Sequence, residues 1–179
     1  QKRVGLNYNS FNIYKYRTMI INDGSLITNS NDSRVTIWGN FLRYFKLDEL
    51  PQLLNILKGD MRFVGPRPEV EEHISGKDFS FLNNIKPGLT DFSSILLRNE
   101  SEILDKLGGT KHYQKLLDIK IELGHIYNRK KCFLLDLKLV LLTLISIVNS
   151  KIANKIIIKF FISSFDTALE SKIKNILND

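Results

Sequence analysis

The sequence contains one cysteine, three histidines and no uninterrupted apolar run near twenty residues. The lone Cys132 excludes a disulfide within the chain and suits a reducing compartment. His73, His112 and His125 are scattered and show no metal-ligand spacing. A bilayer-spanning helix needs about 20 apolar residues, so none is expected, and no signal peptide is visible. There is no internal repeat, low-complexity linker or nucleic-acid motif. Acidic residues are also in the minority. The 26 Lys and Arg against 19 Asp and Glu leave a net charge of +7. That surplus points to an anionic partner: nucleic acid, acidic lipid or a phosphorylated substrate. The cations are dispersed among apolar runs, so no nucleic-acid partner is expected.

With 179 residues, 43% apolar and 25% charged, the chain can bury a sizeable core. Residues 4–17 read as a β-hairpin, with Asn7-Tyr8-Asn9-Ser10 as its turn. Residues 22–33 read as a loop, 37–45 as a short helix, 70–81 as a polar stretch of poor periodicity and 86–90 as a turn. Helices are expected over 101–107, 112–129, 133–148 and 151–165, with a last one capped by Asp166. The fold class is therefore α+β, mostly helical. Residues 133–148 span about 24 Å and read first as a core helix, second as an interfacial one. Lys151, Lys155 and Lys159 stand four apart against Ile and Phe. This stripe suits an anionic membrane surface, with a homodimer face or core helix as the alternative. Tyr14, Tyr16, Trp38, Phe41 and Phe45 read as core, unless one of them stacks on a base.

The chain is organised around residues 47–68. Leu50, Leu53, Leu54 and Leu57 fall on one face of a helix that Gly59 stops, and that face is expected to be buried. Asp48 stands at the helix start, beside Glu49. Asp48 is either a helix cap or a functional carboxylate, which a helix N-terminus favours. Glu49 is either a solvated first-turn residue or, beside a diphosphate, a Mg²⁺ ligand. Arg67, between Pro66 and Pro68, rides on a stiff extended segment and is either a surface arginine or a phosphate fork. Arg43 is a second candidate for phosphate or for pairing with the carboxylates. Arg98 and Lys86 are weaker ones, with solvated charge as their other reading.

Asp48-Glu49-Leu50-Pro51-Gln52-Leu53, Lys58-Gly59-Asp60-Met61 and Gly65-Pro66-Arg67-Pro68, in this order and spacing, resemble the bacterial sugar transferase family. These are monotopic polyprenyl-phosphate phosphoglycosyl transferases that start capsule, O-antigen and glycoprotein glycan assembly. The resemblance covers roughly residues 2–150, implying a catalytic domain over 1–150 and an amphipathic helical extension over 151–179. It implies that Asp48 is the nucleophile, taking a phosphosugar from a UDP-sugar, releasing UMP and passing the group to polyprenyl phosphate. It further implies a Mg²⁺ cofactor near Asp48 and Glu49, phosphate binding by Arg67, and a place on the cytoplasmic face of a bacterial inner membrane. Lys86 stands where the family has arginine. Asp91 replaces a glycine, which would put a negative charge near the phosphate pocket. The family's apolar membrane-inserted helix ahead of the hairpin is not in this sequence. A membrane-surface module without catalytic activity is the alternative function.

Overall fold

The computed structural model describes residues 1–20, 32–163 and 166–178. The expected loop over 22–33 lies outside these residues as far as residue 31. Strands β1 (Lys2–Val4) and β2 (Ser10–Asn12) pair antiparallel with Arg3 opposite Phe11, which is the expected hairpin in shorter form. Asn7 and Tyr8 take left-handed φ values of 54° and 59° in its turn. Beyond Asn12 the chain leaves the sheet and is held by Asn55. The Asn55 amide donates to the Asn12 carbonyl (2.8 Å) and accepts from the Tyr14 N–H (3.0 Å).

Strands β3 (Arg62–Val64) and β4 (Gly88–Thr90) run parallel, with Arg62 opposite Gly88 and Val64 opposite Thr90. At their ends the two backbones touch. A Cβ on Gly88 would lie 2.1 Å from the Gly65 nitrogen, so only glycine fits there.

The helices are α1 (Ile37–Tyr44), α2 (Gln52–Lys58), α3 (Glu71–Ile74), α4 (Phe92–Leu96), α5 (Glu100–Lys106), α6 (Tyr113–Lys130), α7 (Phe133–Val148), α8 (Ser150–Ile157) and α9 (Thr167–Asn178). The protein is mostly helical with a small N-terminal strand pair, as the sequence indicates. Caps explain several boundaries. Thr36 Oγ1 accepts from Gly39 N, Asn149 Oδ1 from Ile152 N and Asp166 Oδ1 from Leu169 N. Gly59, at φ 81°, ends α2. Helix α8 runs on into one wide π turn over residues 158–162.

Leu116, Leu117, Leu123, Ile126 and Tyr127 of α6 form the middle of a single apolar core. Residues of α4, α5, α7, α8 and α9 close around them, including Ala153, Ile157, Ile173 and Ile176 from the C-terminal segment. Helices α1 and α2 add no apolar side chain to this core.

That exclusion overturns two expectations, the buried face of α2 and the aromatic core, whereas 133–148 does contribute to the core as expected. The leucines of α2 face outward, and Leu57 is 83% exposed. The buried side of α2 is polar, carrying Gln52 and Asn55. Tyr14, Tyr16, Trp38, Phe41 and Phe45 are likewise exposed, Trp38 by 78%. The inward side of α7 mixes Leu135, Leu139 and Leu142 with polar groups: Asp136 accepts from the Tyr127 hydroxyl (2.7 Å), Thr143 Oγ1 is 2.6 Å from Thr90 Oγ1, and Ser146 is buried. Its outer side carries Phe133, Leu137, Leu141, Leu144 and Val148. A soluble helix turns its apolar side to the core, and α1 and α2 do the reverse, whereas α7 buries Leu135, Leu139 and Leu142 and leaves a second apolar side exposed.

Candidate active site

Asp48 and Glu49 sit in a 3₁₀ turn (Leu47–Glu49) ahead of α2. Asp48 does not cap α2. Pro51 holds that position, with no side-chain cap. The preceding Lys46 has φ 58°, a left-handed conformation costing about 1 kcal/mol in a non-glycine residue. That kink turns the chain from α1 into the dyad, and both carboxylates point into the protein. Asp48 is 1% exposed.

Four cations surround the pair. Tyr16 N–H donates to the Asp48 carbonyl (2.9 Å) and Asn55 holds Tyr14, so Lys15 is pinned between them. Its Nζ lies 2.8 Å from Asp48 Oδ2 and 3.6 Å from Glu49 Oε1. Arg67 stands just past the carboxyl end of β3 and forks Glu49, with Nη1 3.0 Å from Oε2 and Nη2 on Oε1. Burial opposes the Glu49 charge, but Arg67, Lys46 and Lys15 outweigh it and hold the carboxyl well below the usual range. Burial brings the Lys46 ammonium down to about 8 against the pull of Glu49, and Arg67 and Lys15 push it the same way. Arg43 lies on the same wall and donates to Thr18 Oγ1 (2.9 Å).

These groups line a cavity of about 720 Å³. Its far wall holds a second buried cluster. Lys120 Nζ lies 3.1 Å from Glu69 Oε1 and 2.9 Å from Glu100 Oε2, with Arg3, His73 and Tyr113 against Glu69. Burial raises the Glu69 carboxyl, yet Lys120, His73 and Arg3 bring it down to about 2. Arg98 sits at the rim, donating to the Tyr44 carbonyl (2.5 Å).

The structure thus brings Asp48, Glu49, Arg67, Arg43 and Arg98 to one cavity. Lys86 is not among its lining residues; it is exposed near Gly59. Nor does Asp91 charge the pocket. It caps α4, accepting from Ser94 N (2.7 Å) and from the Ser93 and Ser94 hydroxyls. Sequence reasoning missed Lys15, Lys46, Gln52 and the Glu69–Lys120 cluster.

Buried polar atoms without a partner are rare in folded proteins. Of five such side-chain atoms among the described residues, four are Asp48 Oδ1, both Gln52 amide atoms and Arg3 Nε. Asp48 and Arg3 line the main cavity, while Arg3 and Gln52 line a side pocket of about 300 Å³ that shares Lys15 and Arg67 with it. Four of the five unpartnered atoms therefore belong to residues lining these two pockets. No group of three His, Cys, Asp or Glu side chains forms a self-sufficient metal site among the described residues. Arg67 takes both Glu49 oxygens, leaving Asp48 Oδ1 as the free oxygen of the dyad. Mg²⁺ accepts so few protein ligands only when substrate oxygens complete its shell.

Residues 1–150 match the bacterial sugar transferase family. The chain belongs to that family. It is 34% identical over 164 residues to UDP-glucose:undecaprenyl-phosphate glucose-1-phosphate transferase of Xanthomonas campestris pv. campestris, covering 86% of this chain and 32% of that protein. The uncharacterized sugar transferase EpsL of Bacillus subtilis is 34% identical over 156 residues, 84% of this chain and 69% of its own. The exopolysaccharide production protein ExoY of Sinorhizobium fredii is 35% identical over 132 residues, 63% of this chain and 58% of its own. The chain spans about a third of the length of the glucose-1-phosphate transferases it resembles.

Proposed function

We propose that this sugar transferase moves a phosphosugar from a UDP-sugar to polyprenyl phosphate through a covalent Asp48 intermediate, beginning the assembly of a bacterial surface glycan. The observation that carries this reading is the free Asp48 Oδ1, buried in a cation-lined cavity while Lys15 holds Oδ2. Oδ1 attacks the phosphorus that bears the sugar, and the bond from that phosphorus to the bridging oxygen breaks. UMP leaves with the electron pair, and an acyl phosphate remains on Asp48. An oxygen of polyprenyl phosphate then attacks the same phosphorus and restores the carboxylate, giving a lipid diphosphate sugar. Lys15, Lys46 and Arg43 stabilise the charge that gathers on the phosphoryl oxygens. Arg67 fixes Glu49, and through it the floor of the site. Mg²⁺ would be held by Asp48 together with the diphosphate and would neutralise diphosphate charge.

The acceptor lives in a bilayer, and the outward apolar faces of α1, α2 and α7 support a position at the membrane surface, on the cytoplasmic side where UDP-sugars are found. Helix α2 packs on β3 and β3 on α7, while Tyr44 and Val148 line one small pocket, so these faces neighbour each other around the dyad. Exposed apolar faces of this kind mark interaction surfaces. No helix among the described residues is long and apolar enough to cross a membrane.

Asp48→Asn tests the chemistry. The variant should fold with stability within about 1 kcal/mol, because Lys15 can turn to solvent. Its sugar-phosphate transfer should fall by roughly 10³-fold or more. Substantial turnover in a folded Asp48→Asn protein would exclude the covalent route.

A further inference from the structure

A second groove, of about 870 Å³, runs between α5, α8 and α9. Most of its lining comes from beyond residue 150, where the family match ends. Leu96, Ile103, Ile158 and Ile176 give it an apolar floor. Around them stand Arg98, Lys106, Lys151, Lys155, Lys159 and Lys174, against two carboxylates, Glu102 and Glu170. Lys174 pairs with Glu170 (2.5 Å), whereas Lys106, Lys151, Lys155 and Lys159 form no ion pair among the described residues. Unneutralised cations beside an apolar floor complement one ligand chemistry: an anionic head on an apolar chain. The volume falls within the range of small-molecule clefts, about 300–1,000 Å³.

The groove adjoins the cavity that holds the dyad. Arg98, Asn99 and Glu102 line both it and the active-site cavity. A smaller pocket shares Arg98 and Asn99 with both, and joins Lys46 on the cavity side to Ser150 on the groove side. A phosphate beside Arg98 would therefore look into the cavity that holds Asp48, with its chain extending over Ile103, Ile158 and Ile176.

We infer that this groove is the seat of the lipid acceptor, an isoprenoid phosphate held by its head among Arg98 and the α8 lysines and by its first apolar units on the isoleucine floor. The inference rests on the proposed reaction and adds where its second substrate lies.

Farnesyl phosphate is the probe, with the full chain and the double variant Lys155→Glu/Lys159→Glu, whose substituted positions are exposed and away from the dyad. In isoleucine-methyl NMR, farnesyl phosphate should shift Ile103, Ile158 and Ile176. The variant should weaken its binding at least tenfold while leaving UDP affinity within twofold and the folding midpoint unchanged. Unchanged affinity in the variant, or shifts confined to other methyl groups, would overturn the inference. So would inorganic phosphate matching farnesyl phosphate in affinity and in shifts, since the chain would then contribute nothing. Loss of binding to phosphatidylglycerol vesicles with farnesyl phosphate binding retained would mark a leaflet contact and overturn it as well. The donor half-reaction separates this inference from the reaction it rests on. A covalent adduct from UDP-sugar with no farnesyl phosphate in the groove refutes the groove alone. Farnesyl phosphate in the groove with no adduct formed refutes the covalent reaction and leaves the groove a lipid-phosphate site.

Discussion

Lys46 joins backbone strain to a cavity-facing charge: its φ of 58° turns the chain into the dyad, and its burial brings the ammonium down to about 8. The sign follows from the direction of that shift. The fold disfavours the charged form, so from about pH 8 up to the ordinary lysine range this group adds stability as pH rises. Over the same window the cavity loses a positive charge. UDP affinity measured by calorimetry should therefore fall as pH passes about 8, and in Lys46→Arg it should stay level to pH 9. A level profile in the unsubstituted protein would remove Lys46 from phosphate binding. Arg67 works differently, because its fork is already engaged. Arg67→Ala would leave the buried Glu49 without its two hydrogen bonds and with only the longer Lys15 contact (3.6 Å), and should cost about 3 kcal/mol in urea denaturation. Arg67→Lys should fall between, since a point charge replaces two parallel hydrogen bonds. A loss of activity in Arg67→Ala with no loss of stability would instead assign the guanidinium to the ligand. Asp48, Glu49 and Arg67 were legible in the sequence because they share one compact motif. Lys15 was not, since what brings it to Asp48 is Asn55 gripping the backbone of residues 12 and 14, a contact across more than forty positions. Nothing in periodicity encodes such a clip.

Helix positions were legible wherever a cap or a glycine marks them, as at Thr36, Gly59 and Asp166. Helix orientation was not. Apolar spacing shows that one side of α2 differs from the other, but not which side is buried. The buried Gln52 and Asn55 show that α2 turns its polar side inward, while α7 buries Leu135, Leu139 and Leu142 beside Asp136 and Thr143 and leaves further apolar residues outside. Phe133, 84% exposed, and Val148, 88% exposed, lie at the two ends of α7. A side chain of this kind gains about 1.5 kcal/mol or more when it enters an apolar medium. Leu57→Glu and Phe133→Glu should therefore each lower partitioning onto vesicles by roughly tenfold, while shifting stability by no more than about 0.5 kcal/mol. Vesicle flotation and thermal melting check the two halves. A large loss of stability with partitioning unchanged would mean that these faces are covered by protein.

At the scale of the molecule, a single core of α4–α9 carries a rim of polar-backed elements on which the dyad stands. The sequence predicted the helical class and the hairpin, and three of the cavity's cations, Arg43, Arg67 and Arg98, were among its candidates, but the walls that Gln52, Glu69 and Lys120 build depend on packing between distant segments. The +7 charge has a local meaning here: Lys15, Arg43, Lys46 and Arg67 gather with Asp48 and Glu49 around one cavity. The most direct measurement is the intact mass of the protein after incubation with a panel of UDP-sugars and Mg²⁺ in the absence of lipid acceptor. A gain equal to one phosphosugar, mapped by peptide sequencing to Asp48, absent in Asp48→Asn and discharged by polyprenyl phosphate, is the predicted result. Unmodified protein that nonetheless transfers sugar phosphate once the lipid is added would contradict it.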